Sequence, residues 1–120
     1  MKIYSFENLK VWQESILLIK NVYEITNDFP KGEKFGLTSQ IRRASVSMAS
    51  NLAEGTSRKT QKDKAHFTTI AFSSAMELLN QLIISRELNF ISENHYILAR
   101  KKLEKITNML NSLRNKQLNA

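Results

Sequence analysis

Along nearly the whole chain, apolar residues return every three or four positions with little to interrupt them: 120 residues contain three glycines and one proline. β-turns draw on those two residue types, so an all-β chain would lack its punctuation. A spacing of three and four is instead the repeat of an α-helix with an apolar face. Four such segments can be read, each with its own start and stop signals.

The first segment is expected from about Phe6 to Asp28, with Ser5 as N-cap and Pro30 as the stop, because residues before proline avoid the α region. Leu9, Trp12, Ile16, Ile19 and Tyr23 form one stripe. Val11, Leu18, Val22, Ile25 and Phe29 form a second beside it, and together they make an apolar arc too wide for one neighbouring helix to cover. The second helix begins between Pro30 and Thr38 and ends at Glu54, with Gly55 as an αL residue just past the last turn. Leu37, Ile41, Ala44, Met48 and Leu52 make its core stripe, and Val46, Ala49 and Ala53 a facet of small residues roughly 130° away at about 100° per residue.

Thr60 opens the third helix by capping the N–H of Asp63, and Asn89 follows its close near Leu88 as a left-handed residue. Phe67, Ile70, Ala71, Ser74, Leu78 and Leu82 line one side, while Phe72, Met76, Leu79 and Ile83 line nearly the opposite one. The fourth helix starts after Ser92, with Ile91 and Tyr96 placed as a hydrophobic staple, and carries the seam Tyr96, Ala99, Leu103, Ile106, Leu110 and Leu113. Short connections between four long helices specify an all-α, antiparallel up-down four-helix bundle, one domain over 1–120. The surplus apolar surface of the first three helices predicts self-association, with Val46, Ala49, Ala53, Phe72, Met76, Leu79 and Ile83 as the oligomer interface.

With 42% hydrophobic and 24% charged residues the composition is that of an ordinary globular chain. No cysteine is present, which excludes disulfides and thiolate metal sites and makes a reducing cytoplasm the default setting. The first residues lack the pattern of a secretory signal, and charged residues are expected to interrupt every apolar segment short of a membrane span.

The runs that include Phe6, Trp12-Gln13, Phe29-Pro30, Phe35-Gly36-Leu37-Thr38-Ser39-Gln40-Ile41-Arg42-Arg43-Ala44 and Asn51-Leu52-Ala53-Glu54-Gly55-Thr56-Ser57-Arg58-Lys59 are familiar. They resemble the bacterial four helix bundle protein family, first noticed as products of intervening sequences inserted in 23S rRNA genes and related to the accessory variability proteins of diversity-generating retroelements. The resemblance covers nearly the whole chain and is most specific around the second helix and its exit. It implies a four-helix protomer assembled as a ring-shaped homo-oligomer, typically a pentamer, with a positive surface suited to nucleic acid and no established enzymatic activity. One departure is Phe72-Ser73-Ser74, where relatives often carry glycine and small residues.

The net charge of +7 is concentrated: residues 30–59 and 92–120 each carry six basic and two acidic side chains, and the rest of the chain is close to neutral. Such segregation is the electrostatic footprint of a protein that meets phosphate. Arg58, Lys59, Lys62 and Lys64 surround the start of the third helix, where free N–H groups already favour an anion. Arg100, Lys101, Lys102 and Lys105 crowd the fourth. With Arg42 these are the candidate nucleic-acid-binding residues, and no zinc finger, helix-turn-helix or RNP-type signature points to sequence readout.

Gln40, Arg43, Ser47, Asn51 and Glu54 lie along one line of the second helix and are expected to form a structural polar network that fixes register. The competing reading is a ligand groove. His66 and His95 stand alone, and the only aspartates, Asp28 and Asp63, sit near helix ends, so no catalytic residue, metal site or cofactor is predicted. The chain reads as a non-catalytic, nucleic-acid-binding homo-oligomer, RNA first, with contacts directed to the backbone. The alternative is an adaptor scaffolding a protein partner such as a reverse transcriptase or a ribosomal component. No membrane or small-molecule partner is expected.

Overall fold

A computed structural model describes residues 1–120 as four α-helices and two short 3-10 turns, with no strand. The helices are α1 (Lys10–Thr26), α2 (Leu37–Thr56), α3 (Gln61–Glu87) and α4 (Glu93–Leu118), and the 3-10 turns span Ser5–Asn8 and Lys31–Glu33. Both α2 and α4 lie against α1 and α3, so helices adjacent in sequence are adjacent in space and the last closes on the first. Short connections oblige each helix to run opposite to its predecessor.

Local chemistry sets most of the boundaries. Thr60 Oγ1 accepts the N–H of Asp63 at 3.1 Å, and Ser92 Oγ accepts that of His95 at 3.1 Å, so both hydroxyls cap their helices as expected. Asn89 takes the left-handed conformation (φ 60°) past the end of α3, also as expected. The α2 helix begins at Leu37, whose N–H donates to Glu33 Oε1 at 3.1 Å, which ties the second 3-10 turn to the helix it precedes.

Two boundaries depart from expectation. Instead of one helix from Phe6 capped by Ser5, the chain makes a 3-10 turn at Ser5–Asn8, extends at Leu9 (ψ 117°) and only then enters α1. Glu7 accepts the N–H of Tyr4 at 2.8 Å, and Phe6 folds back edge-on against Trp12, their ring centroids 5.2 Å apart, so a tight turn replaces the first helical turn. Gly55 is not a left-handed terminus, for no glycine has positive φ and α2 runs on to Thr56. Its role is proximity: a Cβ there would stand 2.9 Å from Cβ of Phe67, so the missing side chain lets α2 and α3 close.

The core is a single cluster of 20 buried residues. From α1 it takes Val11, Leu18, Val22 and Ile25, so the second of the two stripes faces inward, while Trp12, Ile16 and Ile19 are half-buried and Tyr23 is exposed. The seam of α4 is buried from Tyr96 to Leu110, with Leu113 half-buried, as its spacing predicts. In α3 the Ala71, Ser74, Leu78 and Leu82 side is buried. Phe72, Leu79 and Ile83, expected on an opposed outer face, are half-buried against the protomer's own core, because α3 is flanked by both α2 and α4. The same double cover accounts for a second correction: only Glu77 is charged between Lys64 and Arg86, and α3 is long and apolar enough, by composition, to cross a membrane.

Buried hydroxyls mostly serve their own helices: Ser15 donates to Val11 O, Thr26 to Val22 O and Ser85 to Gln81 O, each at 2.8 Å. Side-chain bonds between helices are few, and every adjacent pair has one. Arg42 Nε donates to Thr26 Oγ1 at 2.9 Å across α1–α2, and the Ser47 and Ser74 hydroxyls meet at 2.8 Å across α2–α3. Thr68 Oγ1 donates to Gln117 Oε1 at 2.8 Å across α3–α4, and Lys105 Nζ to Glu14 Oε1 at 3.0 Å across α4–α1. Ser74 of the Phe72-Ser73-Ser74 departure is thus the α3 half of one of these links.

Candidate functional site

The four antiparallel helices sort the cations by end. At the end where α2 leaves and α3 begins stand Arg58, Lys59, Lys62 and Lys64. Lys59 and Lys62 are exposed, Lys64 is half-buried, and the Arg58 guanidinium lies 4.5 Å from the Phe67 ring centroid. The Thr68–Gln117 bond brings the last turns of α4 to the same end, adding Arg114 and Lys116, two cations not among the sequence-predicted contacts.

The α4 group sits elsewhere. Arg100 donates to the Tyr96 hydroxyl at 2.6 Å, and that bond holds its guanidinium above its ordinary pKa, keeping it a cation throughout. Arg86 lies over the other end of this small assembly, 4.4 Å from the Tyr96 ring centroid. Lys105 is paired with Glu14, whereas Lys101 and Lys102 are exposed. From Lys105 to Gln117 is roughly 18 Å along the helix at about 1.5 Å per residue, so the two expected clusters do not merge into one patch on a protomer.

A third basic site, of which sequence reasoning assigned only Arg42 to nucleic acid, lies at the opposite end. There the end of α1, the second 3-10 turn and the start of α2 enclose an open cleft of two adjoining parts, of about 320 and 300 Å³, that share Lys34, Thr38 and Arg42. Lys31, Lys34, Arg42 and Arg43 line it together with Tyr23 and Phe35, and no acidic side chain does. Arg42 is fixed in its wall: besides Thr26 it reaches Asn27 Oδ1 at 3.2 Å, and its guanidinium covers the Tyr23 ring at 4.5 Å. Phe35 is 88% exposed, with the Lys34 ammonium 5.4 Å from its centroid. The signal was present in the sequence, as four cations and an aromatic within residues 31–43, but Tyr23 joins them only through the α1–α2 turn.

The polar line of α2 divides. Ser47 bonds Ser74, and Asn51 Nδ2 donates to Ser47 O at 2.9 Å and to its hydroxyl at 3.1 Å. Gln40, Arg43 and Glu54 are exposed and stand outside this network. Of the expected interface residues, Ala49 is buried within the protomer, Ala53 is half-buried, and Val46 and Met76 are each 39% exposed. His66 and His95 are exposed near opposite ends of the bundle, and no three His, Asp or Glu side chains gather around a common point.

Residues 7–112 match the family described as 23S rRNA-intervening sequence protein. Among solved structures the chain is similar to a protein of unknown function from the S23 ribosomal protein family of Bacteroides thetaiotaomicron. The two are 22% identical with a TM-score of 0.76, over 86% of this chain and 96% of that one. That likeness speaks for the fold alone. No curated protein matches the chain.

Proposed function

The chain belongs to the 23S rRNA-intervening sequence protein family, and from there we propose that it is a non-catalytic, homo-oligomeric protein that binds nucleic acid, RNA first, through its phosphates. The observation that carries this is the state of its cations. Of eighteen Lys and Arg side chains, only Arg86 and Lys105 stand in an ion pair within the protomer. Cations left without carboxylates and gathered at the two ends and along α4 repel one another, and a polyanion relieves that repulsion while releasing its own counterions.

Self-association is supported by the α1–α2 face, where half-buried Trp12, Ile16 and Ile19 run beside exposed Tyr23 and Val46. Covering such a stripe with a second copy removes apolar area from water at roughly 25 cal/mol per Å². An oligomer would also multiply the separate basic sites of one protomer around a shared assembly, which strengthens a contact that is weak singly.

The test is a salt series of gel shifts with single-stranded RNA, duplex and hybrid, run beside light scattering. Binding that falls steeply with salt, from a particle several times 13.9 kDa, supports the proposal. No shift with any nucleic acid at low salt, from an assembled protein, overturns it in favour of an adaptor for a protein partner, and a stable particle of 13.9 kDa removes the oligomer.

A further inference from the structure

We propose that the cleft between the end of α1 and the start of α2 is a binding site for single-stranded nucleic acid, with Phe35 as a platform on which a base stacks and Lys31, Lys34 and Arg43 as its phosphate contacts. This rests on the nucleic-acid reading above and adds to it a place and a strand preference.

The first reason is that Phe35 is held out in water by built structure. The Glu33 N–H donates to Pro30 O at 2.9 Å, the Gly36 N–H to Glu33 O at 3.0 Å, and Glu33 Oε1 in turn accepts from Leu37 N, so the turn that presents the ring is locked onto α2. A phenyl ring left 88% exposed forgoes the burial that normally stabilises such a side chain. Its π-face is available in the unliganded protein.

The second reason is what surrounds it. Because the cleft has no acidic residue of its own, a protein partner seated on Phe35 would have to supply carboxylates for four cations as well as a surface to cover the ring. A nucleic-acid strand brings both complements in one ligand, a flat π-face for each ring and a phosphate for each cation. Arg42, tied to Thr26 and Asn27 and laid over Tyr23, forms the fixed wall. Duplex bases are already stacked on one another and cannot reach the ring, so the preference is for single strands.

Anisotropy of a labelled single-stranded RNA and of the corresponding duplex, at low salt, tests this on the 120-residue chain. Phe35→Ala is expected to weaken single-strand binding about 5- to 150-fold, the effect of removing one stacking aromatic, and to leave duplex binding within about twofold. Phe35→Trp keeps the platform and retains single-strand binding. Lys31→Ala with Lys34→Ala lowers the slope of log K against log salt by about 1.4, two contacts of ~0.7 each on a single strand. If the wild type binds but Phe35→Ala binds single strands equally well, the cleft is not the site, while the broader reading stands. If Phe35→Ala changes the particle mass and not the affinity, the ring is a contact between copies and the inference is overturned. A wild type that binds neither probe removes both readings together. Exposed Phe35 lends the fold little, and far-UV circular dichroism of each variant verifies that.

Discussion

Gly55→Ala puts the close approach of α2 and α3 to a quantitative test. Alanine is favoured over glycine within a helix by about 1 kcal/mol, and Gly55 is helical, so on backbone grounds alone the substitution stabilises. The added methyl would meet Cβ of Phe67 at 2.9 Å, against ordinary contacts of about 3.5–4.0 Å. Since a Cβ moves only with its backbone, the helices must separate by several tenths of an ångström, an overpacking cost of about 1–3 kcal/mol. The net expectation is a loss of about 0–2 kcal/mol, or a fall of a few degrees in Tm for a chain of this length. The decisive measurement is urea unfolding of Gly55→Ala in two further backgrounds. In Phe67→Ala the Cβ remains and the penalty persists. In Phe67→Gly it is gone, and Gly55→Ala should stabilise by about 1 kcal/mol. The same effect in both backgrounds would refute the close-approach account of this glycine.

Other expectations follow from single bonds. Ser47→Ala should cost about 1 kcal/mol by stranding the Ser74 hydroxyl, and Ser74→Ala less, since the Ser47 hydroxyl keeps Asn51 Nδ2 at 3.1 Å, while the double substitution costs less than their sum, as a double-mutant cycle in urea will register. Ser92→Ala removes the acceptor for the His95 N–H and should lower stability by about 1 kcal/mol in thermal unfolding, whereas the flanking Glu93→Gln should do much less. Lys105→Ala, which breaks an exposed pair with Glu14, should change stability by under about 1 kcal/mol and lose even that in high salt.

Features set by neighbouring residues were legible from the sequence. The caps at Thr60 and Ser92, the left-handed Asn89 and the seam of α4 each depend on side chains within a turn or two, and each stands where its spacing puts it. Whatever needed a partner from another segment was not legible. Which α1 stripe faces inward depends on where α2 and α4 lie, and the purpose of Gly55 depends on Phe67, twelve residues on and in a different helix. For Phe72, Leu79 and Ile83, periodicity alone cannot tell an outer face from one covered by a second neighbour. In the basic cleft Tyr23 is brought to Arg42 by the turn between their helices, whereas the Arg58 and Arg100 groups were visible as runs in the sequence.

Four side-chain to side-chain bonds between helices, one at each seam, make a closed loop around the bundle, and such a loop resists sliding in a way separate struts would not. Moving any one helix along its axis by a single turn, about 5.4 Å, must break two bonds together, one on each flank. Losing one bond by mutation still leaves three to define how the rods are staggered. Single substitutions in this set should therefore lower the melting point without producing a second arrangement, and a bundle that slips should require the simultaneous loss of both bonds belonging to one rod.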